Sequence, residues 1–400
     1  MIIKRRQFLQ IGTLATGALF VPKFLKAFEK PAMVPPGNKV IVIIQLSGGN
    51  DGLNTVIPVR NDIYYRERPR IAIKKENALR LTDDVYLHPS LTTFKSLYDD
   101  GSMAILNNVG YPNPDRSHFR SMDIWHTATQ SNEYASTGWI GRYLDNQCAG
   151  CDKPTQALEI DDTLSLALKG ENLSGLAFRD AKRLYGTANE KFFKEISAQH
   201  GPVTNDERPV DYMYKTMANT LSSADYIFKQ SQLHPTAQNY PTTVLGQSLK
   251  TIASLVFSDI NTKVYYVSLG SFDTHIAQEG QQKRLFTELN DAVKAFTDDL
   301  KNAGRLDDVL LFTFSEFGRR VSQNASGGTD HGTANNMFFV GSGLKQKGIL
   351  NELPNLNDLQ DGDLKYSIDF KRVYATVLNK WLGANDENIL GKKFDHLSFI

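Results

Sequence analysis

The segment "KVIVIIQLS" (39–47) is an almost unbroken run of apolar, mostly β-branched side chains that stops abruptly at "GGNDG". A strand with one wet face cannot carry apolar residues at nearly every position, so such a run belongs inside a largely parallel sheet covered on both faces. The pattern recurs in "SMAILNNVG" (102–110), "TKVYYVSLG" (262–270), "DDVLLFTFS" (307–315) and "NMFFVGSG" (336–343), each closed by glycine or polar residues. Between these runs, "SLTTFKSLYDDG", "SHFRSMDIWHTAT", "QQKRLFTELNDAVKAFTDDLKNAG" and "DFKRVYATVLNKWLG" carry helical periodicity. The alternation predicts an α/β fold with a largely parallel central sheet and helices on both faces. We read 39–400 as one domain, with the less regular region 152–262 as an insertion covering the sheet edge.

Sheets of this kind bind ligands beyond the carboxyl ends of their strands, so the residues just after each run matter most. There, "QLSGGNDGLN" places Asp51, "VSLGSFDTH" places Asp273 and His275, "FTFSEFGRR" places Glu316, Arg319 and Arg320, and "GGTDHGTANN" places Asp330 and His331. Oxygen and nitrogen donors of this mixture suit zinc, manganese, magnesium or calcium rather than copper or an iron–sulfur cluster. Each residue also has a plainer reading: Asp51 serves a tight turn, Asp273 caps the helix starting near Ile276, Glu316 pairs with Arg319 or Arg320, and His331 is a loop histidine. Their joint occurrence at successive strand ends favours a shared polar site.

A helix begins near Ser117, flanked by Arg116 and His118. Amides and dipole at a helix start face an incoming anion, which makes Ser117 a candidate nucleophile or anion seat; the plainer role is an N-cap. His126 and Trp125 are expected to pack within that helix, and His88 has only its position in favour of a role. Asp395-His396 repeats the dipeptide of 330–331 after no strand at all, which shows how little that pair means alone.

The first thirty residues differ from the rest. Arg5 and Arg6 precede Phe8 and Leu9 and then the short apolar run "IGTLATGALFV", the layout of an export signal of the twin-arginine type. Residues 31–38, "PAMVPPGN", read as a linker. The run is too short to span a bilayer comfortably, and no later segment is apolar enough for a transmembrane span. The 45 basic and 44 acidic side chains nearly cancel, which disfavours a nucleic-acid groove and leaves a small or polar substrate as the default. Cys148 and Cys151 form a lone C-x-x-C, read as a disulfide stapling one loop of an exported protein.

Taken together, "LSGGNDGLNTVIP", "YPNPDRSHFRSMDIWHT", "GWIGRYLD", "FDTHIAQ", "TFSEFGRR", "GGTDHGTANNMFFVG" and "DFKRVYATVLNKWLG" resemble, in order from about Lys39 to the C-terminus, the bacterial domain-of-unknown-function family numbered 1501. That family is placed in the alkaline phosphatase and sulfatase superfamily, so the resemblance implies an alkaline-phosphatase-like fold holding one or two divalent metals. By position, Asp51 resembles the first-strand metal aspartate, Ser117 the nucleophile, and Asp273 with His275 a ligand pair. Glu316 stands for the aspartate of the relatives' "SDHG" motif, and Phe317 stands where its histidine belongs. His331 fills the place of the late histidine, with Asp330 as a supporter or extra ligand. The serine block lacks the C-x-P-S-R pattern of formylglycine sulfatases.

The expectation is therefore a periplasmic or extracellular, metal-dependent hydrolase of a phosphate or related ester, its substrate a small molecule or a glycan or lipid ester. Ser117 or a water attacks, with Arg116, Arg319 or Arg320 neutralising charge. The twin-arginine machinery is the expected export partner. Two alternatives stay open: a non-catalytic cell-envelope binding or assembly protein that retains the fold, and a transferase of a phosphorylated headgroup.

Overall fold

The computed structural model describes residues 39–147, 154–191, 195 and 209–400. The expected signal (1–30) and linker (31–38), and both Cys148 and Cys151, lie outside the described residues.

Nine strands make the central sheet: β1 Val40–Leu46, β2 Met103–Gly110, β3 Ala157–Glu159, β4 Leu176–Ala177, β5 Val264–Leu269, β6 Val309–Phe314, β7 Asn335–Val340, β8 Gly348–Ile349 and β9 Ile368–Asp369. Their spatial order is β8-β2-β7-β6-β1-β5-β3-β4, with β9 also paired to β2. β1 lies in the middle, parallel to β5 (Ile44 opposite Val267) and to β6 (Ile43 opposite Phe312). All five apolar runs are thus strands of a mostly parallel sheet, as their composition requires.

One strand departs from that pattern. β7 runs antiparallel to both of its neighbours, β2 and β6. An apolar run reads the same in either direction, so composition gives no sign of this reversal. Within 152–262, β3 joins the sheet beside β5, with Leu158 opposite Tyr265, and β4 adds the strand beyond it.

Helices cover both faces of the sheet, among them α1 Thr92–Asp99, α2 His118–Thr127, α3 Trp139–Gln147, α4 Val244–Phe257, α5 Gln278–Asn302 and α6 Phe370–Thr376. Side chains alternate along β1, so Val40, Val42, Ile44 and Leu46 enter the core shared with α1, α4 and α5. Ile41 and Ile43 enter the opposite core, with α2, α3 and α6. Each of these side chains contributes about 1.5–3 kcal/mol relative to exposure, which is why the strand tolerates no polar residue before Gln45. Among the described residues no helix is long and apolar enough to cross a membrane.

The directions fix where chemistry can gather. The carboxyl ends of β1, β2, β5 and β6 share one edge with the amino end of β7. A third, smaller apolar cluster, including Leu53, Ile57, Tyr64, Val321 and Ala334, supports the loops beyond that edge.

Candidate metal centre

The loop after β1 is pressed against its neighbours. Gly48 has φ +115°, and a Cβ there would stand 2.5 Å from the Asp273 nitrogen; at Gly49 (φ +74°) it would stand 2.3 Å from the Phe317 ring. Only glycine allows both the backbone conformation and the approach. The Gly48 N–H donates to Glu316 Oε1 (2.8 Å) and the Asn50 N–H to Ser315 Oγ (2.8 Å). The Arg319 guanidinium, buried beneath, donates to the carbonyls of Gly48, Gly49, Phe272 and Thr329 and to Asp273 Oδ1 at 2.7 Å. One side chain thereby ties together the loops after β1 and β5 and the short strand Thr329–His331 that precedes β7.

Asp51 belongs to this buried layer. Its carboxylate accepts from Arg68 (2.5 Å), from Gln278 and from the Leu53 N–H (3.2 Å), and Arg68 itself is fully buried. Glu316 is also fully buried; beyond Gly48, its Oε1 meets His118 Nδ1 at 2.9 Å.

Above this layer stand three imidazoles and one carboxylate. Asp273 Oδ1 lies 3.0 Å from His275 Nε2, 3.1 Å from His331 Nε2 and 3.5 Å from His118 Nε2. The two nitrogens of His275 and His331 are 3.0 Å apart. His118, Asp273 and His331 offer ligand atoms that all lie within 4.8 Å of one another, a geometry able to hold a metal ion.

The far side of each ring settles its tautomer. His118 Nδ1 meets the Glu316 carboxylate, His275 Nδ1 meets the Asp330 carboxylate at 3.2 Å, and His331 Nδ1 meets the Arg116 carbonyl at 2.8 Å. All three partners only accept, so each Nδ1 carries a proton and donates it, which leaves each Nε2 as the ring atom a cation among them would engage. This is how metal-binding histidines are held. Asp330 is kept ionised, its pKa lowered by hydrogen bonds from Asn324 and His275. Burial opposes ionisation of Asp273, but Arg319 and His331 outweigh it and bring its pKa down to about 2. The hydrogen bond to Glu316 raises the pKa of His118. Even so, His118 Nε2 is enclosed with no hydrogen-bond partner of its own. Phe317 forms the wall behind two of the rings, its centroid 4.8 Å from both His118 and His331.

The sequence expectations divide accordingly. Asp273, His275 and His331 come together, with Asp330 and Glu316 orienting two of the imidazoles from behind. Asp51 caps a short helix, Gly52–Thr55, in the buried layer, and Arg319 spends its donors on the protein itself. Asp273 does not cap α5, which starts after Ala277 without a side-chain cap. Ser117 occupies the N-cap position of α2, yet its hydroxyl makes no capping bond, and it is exposed. Arg116 is exposed and held by buried Asp363. His88 is buried against Phe286, and His126 is hydrogen-bonded to Tyr266 at 3.1 Å. His396 pairs with Asp386.

Two residues of the site are hard to single out in the sequence. His118 stands beside Ser117, and its place at a helix start after a strand is the only local signal of its role. Arg68 follows no strand of the central sheet, and nothing local marks it.

A family model described as "Protein of unknown function (DUF1501)" matches residues 102–391. The chain belongs to this family. Comparison with curated proteins found no match. Among solved structures, the PsFucS1 sulfatase from Pseudoalteromonas sp. is similar at 11% identity and TM-score 0.41, covering 99% of this chain and 75% of that one. The C-terminal periplasmic domain of EcEptC from Escherichia coli, in complex with Zn, is similar at 11% identity and TM-score 0.32, covering 78% and 77%. A TAB5 alkaline phosphatase mutant with Mg bound is similar at 10% identity and TM-score 0.34, covering 80% and 95%. The α/β assignment of this family member rests on its own sheet.

Proposed function

We propose that the chain is an exported hydrolase of phosphate or related esters that works with a single divalent metal held by His118, Asp273, His275 and His331. The observation that carries this reading is the convergence of three Nε2 atoms on one carboxylate oxygen, each ring held from behind at Nδ1 by an acceptor. Three imidazoles with one carboxylate are a donor set that zinc accepts. When bound, the metal supplies Lewis-acid polarisation of an ester oxygen.

The chain's own residues supply the rest. Ser117 is the nucleophile: its hydroxyl is exposed, free of capping duty, and lies between Arg116 and His118, both tied to the cluster. The N-terminal amides of α2 orient the non-bridging oxygens. Glu316, Asp330 and the Arg116 carbonyl hold the three Nδ1 protons and so keep the ligand atoms aimed inward. A second metal has no place near Asp51, because Arg68 and Gln278 already occupy that carboxylate. Export is supported by the Arg5-Arg6 pattern of the first thirty residues.

The test is metal analysis of the purified protein coupled to turnover of phosphate monoesters, phosphate diesters and sulfate esters. One metal per chain is expected, with turnover lost in His331→Ala and in Ser117→Ala, the latter keeping its metal. Absence of both metal and turnover sinks the reading. A fully loaded protein inert on every ester supports the envelope-binding alternative instead.

A further inference from the structure

Six large apolar side chains are exposed among the described residues, and the three most exposed stand on the elements that carry the histidine cluster. Phe119 (87%) follows His118 in the first turn of α2, and Ile276 (68%) follows His275. Tyr134 (80%) belongs to the loop after α2. None of the three is a loose tip. The Ala277 N–H donates to the Ser326 carbonyl at 3.2 Å and the His275 carbonyl accepts from Asn324 at 2.8 Å, so the backbone on either side of Ile276 is tied down. The Arg120 guanidinium donates to the Ser131 carbonyl at 2.8 Å and lies 3.8 Å from the Tyr134 ring centroid, while Ser131 Oγ donates to the Pro112 carbonyl at 2.6 Å. The loop bearing Tyr134 is thereby fastened both to α2 and to the loop that leaves β2. Single exposed apolar residues are ordinary, but three held in place around one site mark an interaction surface.

Cations accompany the apolar tips. Arg116 and Arg320 are half-exposed and share one buried carboxylate, Asp363, Arg116 through Nε at 2.8 Å and Arg320 at 3.6 Å. Two guanidiniums on one carboxylate keep a positive charge that it does not cancel, with N–H donors to spare. The cluster's own carboxylates, Asp273 and Asp330, are engaged by Arg319 and by imidazoles. Separate apolar tips accompanied by guanidiniums match a bilayer surface, where aromatic and aliphatic side chains enter among the headgroups and cations meet lipid phosphates. A protein partner needs a continuous apolar patch to pack against, and polar Ser117, His118 and His275 interrupt this one.

We propose that this edge of the molecule docks on a membrane surface containing anionic lipids, with Phe119, Tyr134 and Ile276 inserted among the headgroups and Arg116 and Arg320 on their phosphates. The choice of a bilayer over a protein rests in part on the reading of the cluster as an ester site, because a bilayer leaves phosphate esters within its reach and a packed protein covers it. The docking itself does not depend on turnover.

The experiment is co-sedimentation of the full chain with vesicles of phosphatidylcholine alone and of equal parts phosphatidylcholine and phosphatidylglycerol. Phe119→Ser, Ile276→Ser and Arg320→Gln accompany the wild type; each changes an exposed or half-exposed side chain, and an unchanged melting temperature confirms that the fold is kept. The wild type is expected to sediment with the anionic vesicles, with affinity about tenfold or more weaker in Phe119→Ser and in Ile276→Ser. Arg320→Gln is expected to lose about fivefold on the anionic vesicles and nothing on phosphatidylcholine. No sedimentation of the wild type, or undiminished sedimentation of both apolar variants, overturns the proposal. So does self-association in solution that the two apolar substitutions abolish, which assigns the face to a second copy of the chain. Turnover of soluble esters without vesicle binding overturns the docking and leaves the ester reading standing; vesicle binding without turnover of any ester does the reverse.

Discussion

Asp51 and Asp273 both follow a strand of the same sheet, yet Asp51 is 1% exposed and faces Arg68, while the Asp273 side chain is 46% exposed and faces three imidazoles. Around Asp51 the charges close on themselves: a buried guanidinium, an amide and a backbone N–H leave the carboxylate nothing to offer. Around Asp273, among the described residues, Arg319 is the one guanidinium in contact, and the rest of the shell is imidazole. The difference teaches that a strand-end carboxylate becomes a buried brace where the protein's own donors enclose it, and stays open to a ligand where they leave it half exposed.

The comparison breaks most visibly through stability. Asp51→Ala leaves Arg68 buried and unpaired, a loss of about 3–5 kcal/mol that denaturant unfolding of chelator-treated protein reads directly. His331→Ala is expected to do the reverse: bound metal disappears from elemental analysis, while the metal-free protein changes by under about 1 kcal/mol. Chelator then lowers the melting temperature of the wild type but not of His331→Ala, because only the wild type has binding energy to lose. A smaller effect belongs to Asp330→Asn, which weakens the hold on the His275 Nδ1 proton and lowers metal affinity roughly 10–100-fold by competition with a chromogenic chelator.

The smallest effect is in pH. The carboxyl of Asp273 titrates at about 2 in the folded metal-free protein against an ordinary 3.8. A depressed folded pKa gives stability that is present above the ordinary value and lost as pH falls through the folded one. The stability gap between wild type and Asp273→Asn should therefore narrow from about pH 4 and vanish near pH 2, by under about 1 kcal/mol because the group is half exposed. A gap independent of pH contradicts the assignment of charge at the rim.

Much of this was legible in the sequence. Five apolar runs became five central strands because burial on both faces leaves little other composition open to them. The gathering of Asp273, His275 and His331 followed from strand ends alone. What stayed hidden depends on direction and distance. The reversal of β7 leaves no mark on its residues, and β3 and β4 are too short for a pattern. Asp51 and Asp273 look equivalent until Arg68 arrives from another part of the chain. Phe317, which stands where the motif's histidine is expected, reads as a loss; in three dimensions it is the wall behind two imidazoles of the cluster.

The reversed strand has a consequence in time. Because β7 runs against β2 and β6, the loop before it reaches the edge that the other loops reach after their strands. His331 is thus the last histidine of the cluster that the ribosome delivers, 213 residues after His118. A chain halted before it holds two imidazoles instead of three. If the cluster holds the metal proposed for it, loading is a late event that reports a finished sheet, and an unfinished one is marked by its failure to load.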